Sequence, residues 1–171
     1  GHVFLCGLLN WLSPLMRGGQ TRLRLLWNAF NNQRRHKSHI CELSSKLKKI
    51  LLWWLDNIKH TETPWLERPS ASTPVIAADA GPSSCGLVHD NYVMQHVFNE
   101  QEANHSIPYK ELYPAVKFCK LFRPKSLLWL TDGQTAAFQV LKRSARDPEA
   151  LKLLLELDDT HTQLHPMWVS R

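Results

Sequence analysis

Two short apolar runs, Val75-Ile76-Ala77-Ala78 and Ser126-Leu127-Leu128-Trp129-Leu130-Thr131, each end directly on an aspartate, Asp79 and Asp132. Apolar runs of this length, bounded by turn-forming residues, suit strands buried in the centre of a sheet. Carboxylates gathered at the ends of adjacent strands, in a desolvated cleft, repel one another and are costly unless a cation holds them. Hard divalent cations with oxygen ligands meet that need, and Mg²⁺ is the natural candidate. The pair of strand-ending acids therefore restricts both the fold and the chemistry.

The residues around the two runs supply the rest of an α/β layout. Ala80–Ser84 contains Gly81 and Pro82 and reads as a turn, after which Cys85–Val88 and Tyr92–Phe98 form a hairpin through His89-Asp90-Asn91. Asn99–Pro108 is polar and reads as a loop. Leu112, Ala115, Val116, Cys119 and Phe122 mark an amphipathic helix starting near Tyr109. Gln134–Arg143 and Ala150–Leu157 read as helices, and Leu164–Val169 as a last strand; His161 and His165, with Pro166 following at once, belong to loop or strand. The order is β-β-β-α-β-α-α-β, a mixed α/β fold with five strands.

Glu111 lies one residue before the apolar stripe of its helix, where its side chain can sit at the rim of the core and face the sheet. Asp79, Glu111 and Asp132 can then converge from two strands and a helix. Two bound metal ions there would activate water and stabilise the leaving oxygen in phosphodiester hydrolysis. Each acid also fits a plainer part. Asp79 before Gly81-Pro82 suits a turn, Asp132 before Gly133 suits a helix cap, and Glu111 suits the favourable dipole of a first helical turn. Taken singly the plainer parts are favoured; taken together, with matching strand and helix contexts in this order, the metal-site reading is.

The N-terminal part is different in kind. Residues 1–73 hold 11 Lys+Arg against 4 Asp+Glu, and residues 74–171 hold 10 against 11, so the basic excess lies entirely in the first part. That part reads as helical: Thr21 to about Phe30 carries Leu23, Leu26, Trp27 and Phe30 after Gly18-Gly19. The polar run Asn31–Ser38 then links to a second helix whose apolar stripe is Leu43, Leu47, Ile50, Leu51, Trp54, Leu55 and Ile58. Such stripes ordinarily serve core packing. Arg22, Arg24, Arg34, Arg35, Lys46, Lys48 and Lys49 are candidates for phosphate contacts, since a basic segment beside an acid-bearing domain suits a nucleic acid. Glu67–Pro74 (ERPSASTP) has linker composition and marks a boundary between a helical segment, 1–70, and an α/β domain, 74–171.

Several classes are disfavoured. The apolar opening Val3–Leu12 is too short to span a bilayer and is not a secretory signal. His36, His39 and Cys41 form an HxxHxC cluster without a second ligand pair at zinc-finger spacing, so a polar basic loop is the better reading. Four widely spaced cysteines without a CxxC pair fit a reduced, intracellular protein. A start on Gly1 and not Met suggests an excerpt from a longer polypeptide.

At three places the residues resemble a known family. VIAADAGPSSCGLV (Val75–Val88) resembles the first strand and hairpin of the ribonuclease H domain of retroelement reverse transcriptases, and SIPYKELYPAVKF (Ser106–Phe118) its glutamate-bearing helix. LLWLTDGQTAAFQVLKRSARDP (Leu127–Pro148) resembles the strand, aspartate and following helix, with the Ser-x-Arg-Asp-Pro continuation of tyrosine-recombinase (DIRS-type) elements. MWVSR is similar to the strand before the family's final acidic motif. MRGGQTRLRLLWNAF and KLKKILLWWLDNI are similar to the thumb or connection region that precedes it. The resemblance implies a ribonuclease H-like mixed five-stranded sheet flanked by helices and preceded by a helical segment. It implies that Asp79, Glu111 and Asp132 are catalytic metal ligands for Mg²⁺ or Mn²⁺, two ions, with Gln134 near the substrate backbone. An RNA–DNA hybrid and the polymerase domain of the same polyprotein would be the partners. Three departures stand out. The chain stops before the segment expected to carry a fourth Asp, so the domain reads as C-terminally truncated; Gly133 replaces the usual small polar residue, commonly Asn; and Cys85 replaces an aromatic.

Three functions follow from the sequence. The first is a metal-dependent endonuclease cutting the RNA strand of hybrids, which are recognised by backbone shape and 2′-hydroxyls. The second is an inactive, truncated or domesticated remnant that binds nucleic acid or only keeps the fold. A transposase or integrase core shares fold and chemistry, but a Glu on the helix after the hairpin and an Asp ending the next strand favour ribonuclease H.

Overall fold

The computed structural model describes residues 2–35, 43–59 and 68–170, and the chain divides into two units, Gly1–Trp65 and Leu66–Arg171. The first unit is helical: α1 (His2–Leu12), a 3₁₀ turn (Ser13–Leu15), α2 (Gly19–Arg35) and α3 (Ser45–Asn57). Its core joins Cys6 and Leu9 of α1, Met16, Leu23, Leu26 and Phe30 of the α2 region, and Leu47, Ile50 and Trp54 of α3. Gly19 lets the helices approach: a Cβ there would lie 2.7 Å from Ser13 O and 3.2 Å from the Trp54 ring. Ser44 caps α3 by accepting the Leu47 N–H at 3.2 Å.

Two expectations change here. The segment 31–35, read as part of a link, continues α2; it holds no Gly or Pro, and Asn, Gln and Arg are tolerated in a helix. The stripe on α3 is narrower than its periodicity suggests: Leu47, Ile50 and Trp54 are buried, while Leu43, Leu55 and Ile58 are exposed. A three-helix unit covers only one side of α3. No helix among the described residues is long and apolar enough to cross a membrane. The HxxHxC cluster of His36, His39 and Cys41 lies outside the described residues.

The second unit contains β1 (Val75–Ala80), β2 (Ser84–His89), β3 (Tyr92–Val97), α4 (Glu100–Ala103), α5 (Ile107–Phe122), β4 (Ser126–Thr131), α6 (Gln134–Lys142), α7 (Pro148–Asp159) and β5 (Gln163–Trp168). The strands form one sheet in the order β3-β2-β1-β4-β5. β1, β2 and β3 pair antiparallel, and β4 and β5 extend the sheet parallel to β1. This is the expected mixed five-stranded sheet with helices, and its order and polarity are those of the ribonuclease H-like fold. Asp90, in the left-handed region at φ 48°, closes the tight β2–β3 hairpin, a conformation Asp tolerates better than most residues.

Strand alternation puts Ile76 and Ala78 of β1, Cys85 and Leu87 of β2, and Leu127 and Trp129 of β4 on one buried face. Against it packs α5 with Leu112, Ala115, Val116 and Cys119, and α7 packs on α5. Burial pushes the Cys119 thiol up to about 12 and the Cys85 thiol to about 11, so both behave as small apolar side chains and not as nucleophiles. Polar groups fix the helix starts. Ser106 caps α5 and Asp147 caps α7, and the Ser106 hydroxyl also donates to the Asp147 carboxylate, tying the two N-termini together.

The polar stretch 99–108, read as a loop, contains α4. Asn99 accepts the Glu102 N–H at 2.9 Å while the Glu102 carboxylate accepts the Asn99 N–H at 3.1 Å, a reciprocal capping box that satisfies both backbone donors.

Candidate active site

β1 and β4 run parallel with Val75 opposite Leu128, Ile76 opposite Trp129 and Ala77 opposite Leu130. Continued by two residues, that register sets Asp79 level with Asp132, on strands separated by the usual ~4.8 Å. The alternation of the pleat puts both on the side opposite the helices. Asp79 and Asp132 indeed share the wall of one cleft of about 780 Å³, together with Ser84, Val88, Val93 and Val169.

The chain around Asp132 is fixed by its neighbours. Trp168 Nε1 donates to the Asp132 carbonyl at 3.1 Å, the Val169 N–H donates to Thr131 O at 2.9 Å, and the Thr131 hydroxyl accepts the Gly133 N–H at 3.0 Å. Asp79 Oδ1 accepts the N–H of the next residue, Ala80, at 2.8 Å. Its turn is closed by Gly81 N–H donating to Ser84 O at 2.8 Å.

Glu111 comes from the first turns of α5, on the helix side of the sheet, and its half-buried carboxylate reaches the backbone of Gly133 next to Asp132. The cleft wall does not include it. The structure thus gathers the three acids at one end of the sheet, two in a shared cleft and the third against the following turn. In chemistry the donor set fits a hard cation, being all carboxylate. In geometry it is open: among the described residues, no three His, Cys, Asp or Glu side chains stand close enough together to hold a metal ion.

Gln134 is the first residue of α6 and is exposed. In the helical unit, Lys46, Lys48 and Lys49 project into solvent from α3. Arg22 is engaged internally: its guanidinium lies 4.0 Å from the centre of the Trp53 ring and donates to Gly18 O at 3.3 Å. Arg24 is half-buried, with Nε lacking a hydrogen-bond partner among the described residues. Arg34 and Arg35 end α2, and their side chains lie outside the described residues.

Lys110, a residue the sequence did not single out, supports the site. It is 7% exposed, and its ammonium donates to Pro82 O and Ala103 O at 2.7 Å each, fastening the turn after Asp79 and the end of α4 to α5. The sequence offered no signal for it: Lys110 lies about 160° round the helix from Leu112, on the side where a lysine is ordinary, and its burial comes from the distant Pro82 and Ala103 segments. Beside it, His96 Nε2 and Glu102 Oε2 pair at 3.0 Å, with His96 stacked on Tyr113 at 4.7 Å. The hydrogen bond with His96 holds the Glu102 carboxyl below the usual glutamate range, helped by the Asn99 N–H and opposed by partial burial. Burial, with the Glu102 charge second, raises the Tyr113 hydroxyl to about 12.

No family model matches the chain, and no curated protein matches it. Among solved structures, it is similar to the foamy viral protease-reverse transcriptase in complex with double-stranded DNA, at 14% identity and TM-score 0.41, over 99% of this chain and 38% of that one. A second structure of a foamy viral protease-reverse transcriptase with double-stranded DNA has the same identity and score over 34% of its length. The native Prototype Foamy Virus protease-reverse transcriptase matches at 18% identity and TM-score 0.36, over 95% of this chain and 24% of that one. The chain therefore spans about a third of the structures it matches, and its fold rests on the strand order and polarity described above.

Proposed function

We propose that this chain is the ribonuclease H-type part of a retroelement reverse transcriptase, hydrolysing the RNA strand of RNA–DNA hybrids with a divalent cation, Mg²⁺ or Mn²⁺. The observation that carries the reading is the level placement of Asp79 and Asp132 at the ends of two neighbouring parallel strands, with Glu111 reaching the turn after Asp132. As they stand the three acids are not close enough together to hold the cation, so binding would require their side chains to draw in on it; the cation would then supply an activated water and charge neutralisation at the phosphate. The chain's own contribution is positioning. Thr131 and Trp168 fix the backbone of Asp132, and Lys110 fixes the turn beyond Asp79. Gln134 lies at the exposed start of α6 for a contact with the substrate backbone, and Lys46, Lys48 and Lys49 supply salt-sensitive, sequence-independent attraction to phosphates. The polymerase domain of the same polyprotein is the expected partner in cis.

A second reading, an inactive remnant that binds nucleic acid or keeps only the fold, is favoured by the open arrangement of the acids. One assay separates the two. The first reading expects Mg²⁺-dependent cleavage of the RNA strand in a labelled hybrid, abolished by Asp132→Asn. Hybrid binding without cleavage supports the remnant, and cleavage that survives Asp132→Asn removes the site assignment.

A further inference from the structure

We infer that Gly133 is a positioning residue for Glu111, its missing side chain being the space in which the Glu111 carboxylate is seated. The backbone does not call for glycine: at φ −73° and ψ 83° residue 133 has a conformation open to other amino acids. The space does. A Cβ built on Gly133 would stand 2.5 Å from Glu111 Cδ and 3.0 Å from Oε1, with Oε2 in still closer collision. The turn cannot yield easily, because the Gly133 N–H is held by the buried Thr131 hydroxyl and the Gly133 carbonyl accepts the Ala137 N–H at 2.9 Å. The part that yields is the far end of a glutamate side chain, which swings away at small cost in rotamer energy. A side chain at 133 is therefore compatible with the fold and incompatible with the present position of Glu111.

The link to metal binding rests on the function proposed above; the steric relation between the two residues does not. The test uses Gly133→Ala, Glu111→Gln, the double variant, and Gly133→Ala with Glu111→Ala. In the metal-free chain, ¹³C-labelled glutamate should show the Glu111 side-chain resonance displaced by Gly133→Ala with the other glutamates unmoved. In calorimetric titration with MgCl₂, Gly133→Ala should weaken binding by about 10- to 100-fold, the usual effect of disturbing a ligand's support. It should add nothing once Glu111→Gln is present, as expected of two residues acting through one contact. An unmoved resonance, or an additive loss, overturns the inference. A displaced resonance in a chain whose parent binds no Mg²⁺ leaves the positioning intact and removes the metal reading. If Gly133→Ala alone does not fold, Glu111→Ala should restore folding; failure to restore it shows that the glycine serves the backbone and overturns the inference.

Discussion

The two faces of the five-stranded sheet have opposite fates. On the helix side Ile76, Leu87, Leu127 and Trp129 are fully buried under α5 and its neighbours. On the other, Val75, Val88, Val93, Val97 and Met167 are 42–70% exposed although their residue types are no less apolar. Packing energy is therefore concentrated on one face, because only buried area stabilises. The candidate site draws on both: Asp79 and Asp132 follow the pleat of the open face, while Glu111 arrives from the covered one. A site at that margin can change its acids without disturbing the core, whereas changes in the covered face disturb everything.

The largest expected effect tests the contrast directly. Trp129→Ala removes a side chain with no exposed surface and should cost about 3–5 kcal/mol in urea denaturation, against about 0.5 kcal/mol or less for Val93→Ala on the open face. Equal costs would break the comparison. Lys110→Met comes next. It leaves the Pro82 and Ala103 carbonyls without their charged donor, a loss of roughly 1.5–3 kcal/mol, and should speed amide exchange at Gly81, whose turn carries Asp79. Asp147→Ala removes both the α7 cap and the acceptor for Ser106, for about 1–2 kcal/mol by thermal denaturation.

The same contrast explains what the sequence could and could not reveal. β4 is legible to the residue, Ser126–Thr131, because a central strand is apolar throughout and stops at a charged residue. β1 runs two residues past its apolar run, since Asp79 and Ala80 still pair with Gly86 and Cys85, and pairing depends on a partner strand that the local sequence does not contain. α4 escaped notice because four residues carry no periodic stripe, although the spacing of Asn99 and Glu102 is a helix-start signal in its own right. The position of each acid in its element was readable. That Asp79 stands level with Asp132, and that Glu111 occupies the space beside Gly133, are consequences of register and packing between distant segments. Arg22 is the reverse case, a basic residue whose ring partner Trp53 lies 31 positions away and was invisible to a count of charges.

The smallest effect belongs to the covered side of edge strand β3, where the Glu102 carboxylate joins His96 to the cap of α4. Because its folded-state pKa lies below the ordinary value of 4.5, the pairing stabilises the fold fully above that pH and less as the pH falls through the lowered value. The carboxylate is about a fifth exposed, so solvent screening keeps the contribution small. Stability measured between pH 6 and pH 3 should therefore decline more steeply for the parent chain than for Glu102→Gln, with the two curves closest at the acid end. Parallel curves would mean that the pair contributes nothing and that β3 is held by its pairing with β2 and its aromatic contacts with α5. A difference that is full at pH 6 and shrinks as the pH falls from 5 to 3 would instead show the covered face extending its hold, through one carboxylate, to the last strand of the sheet.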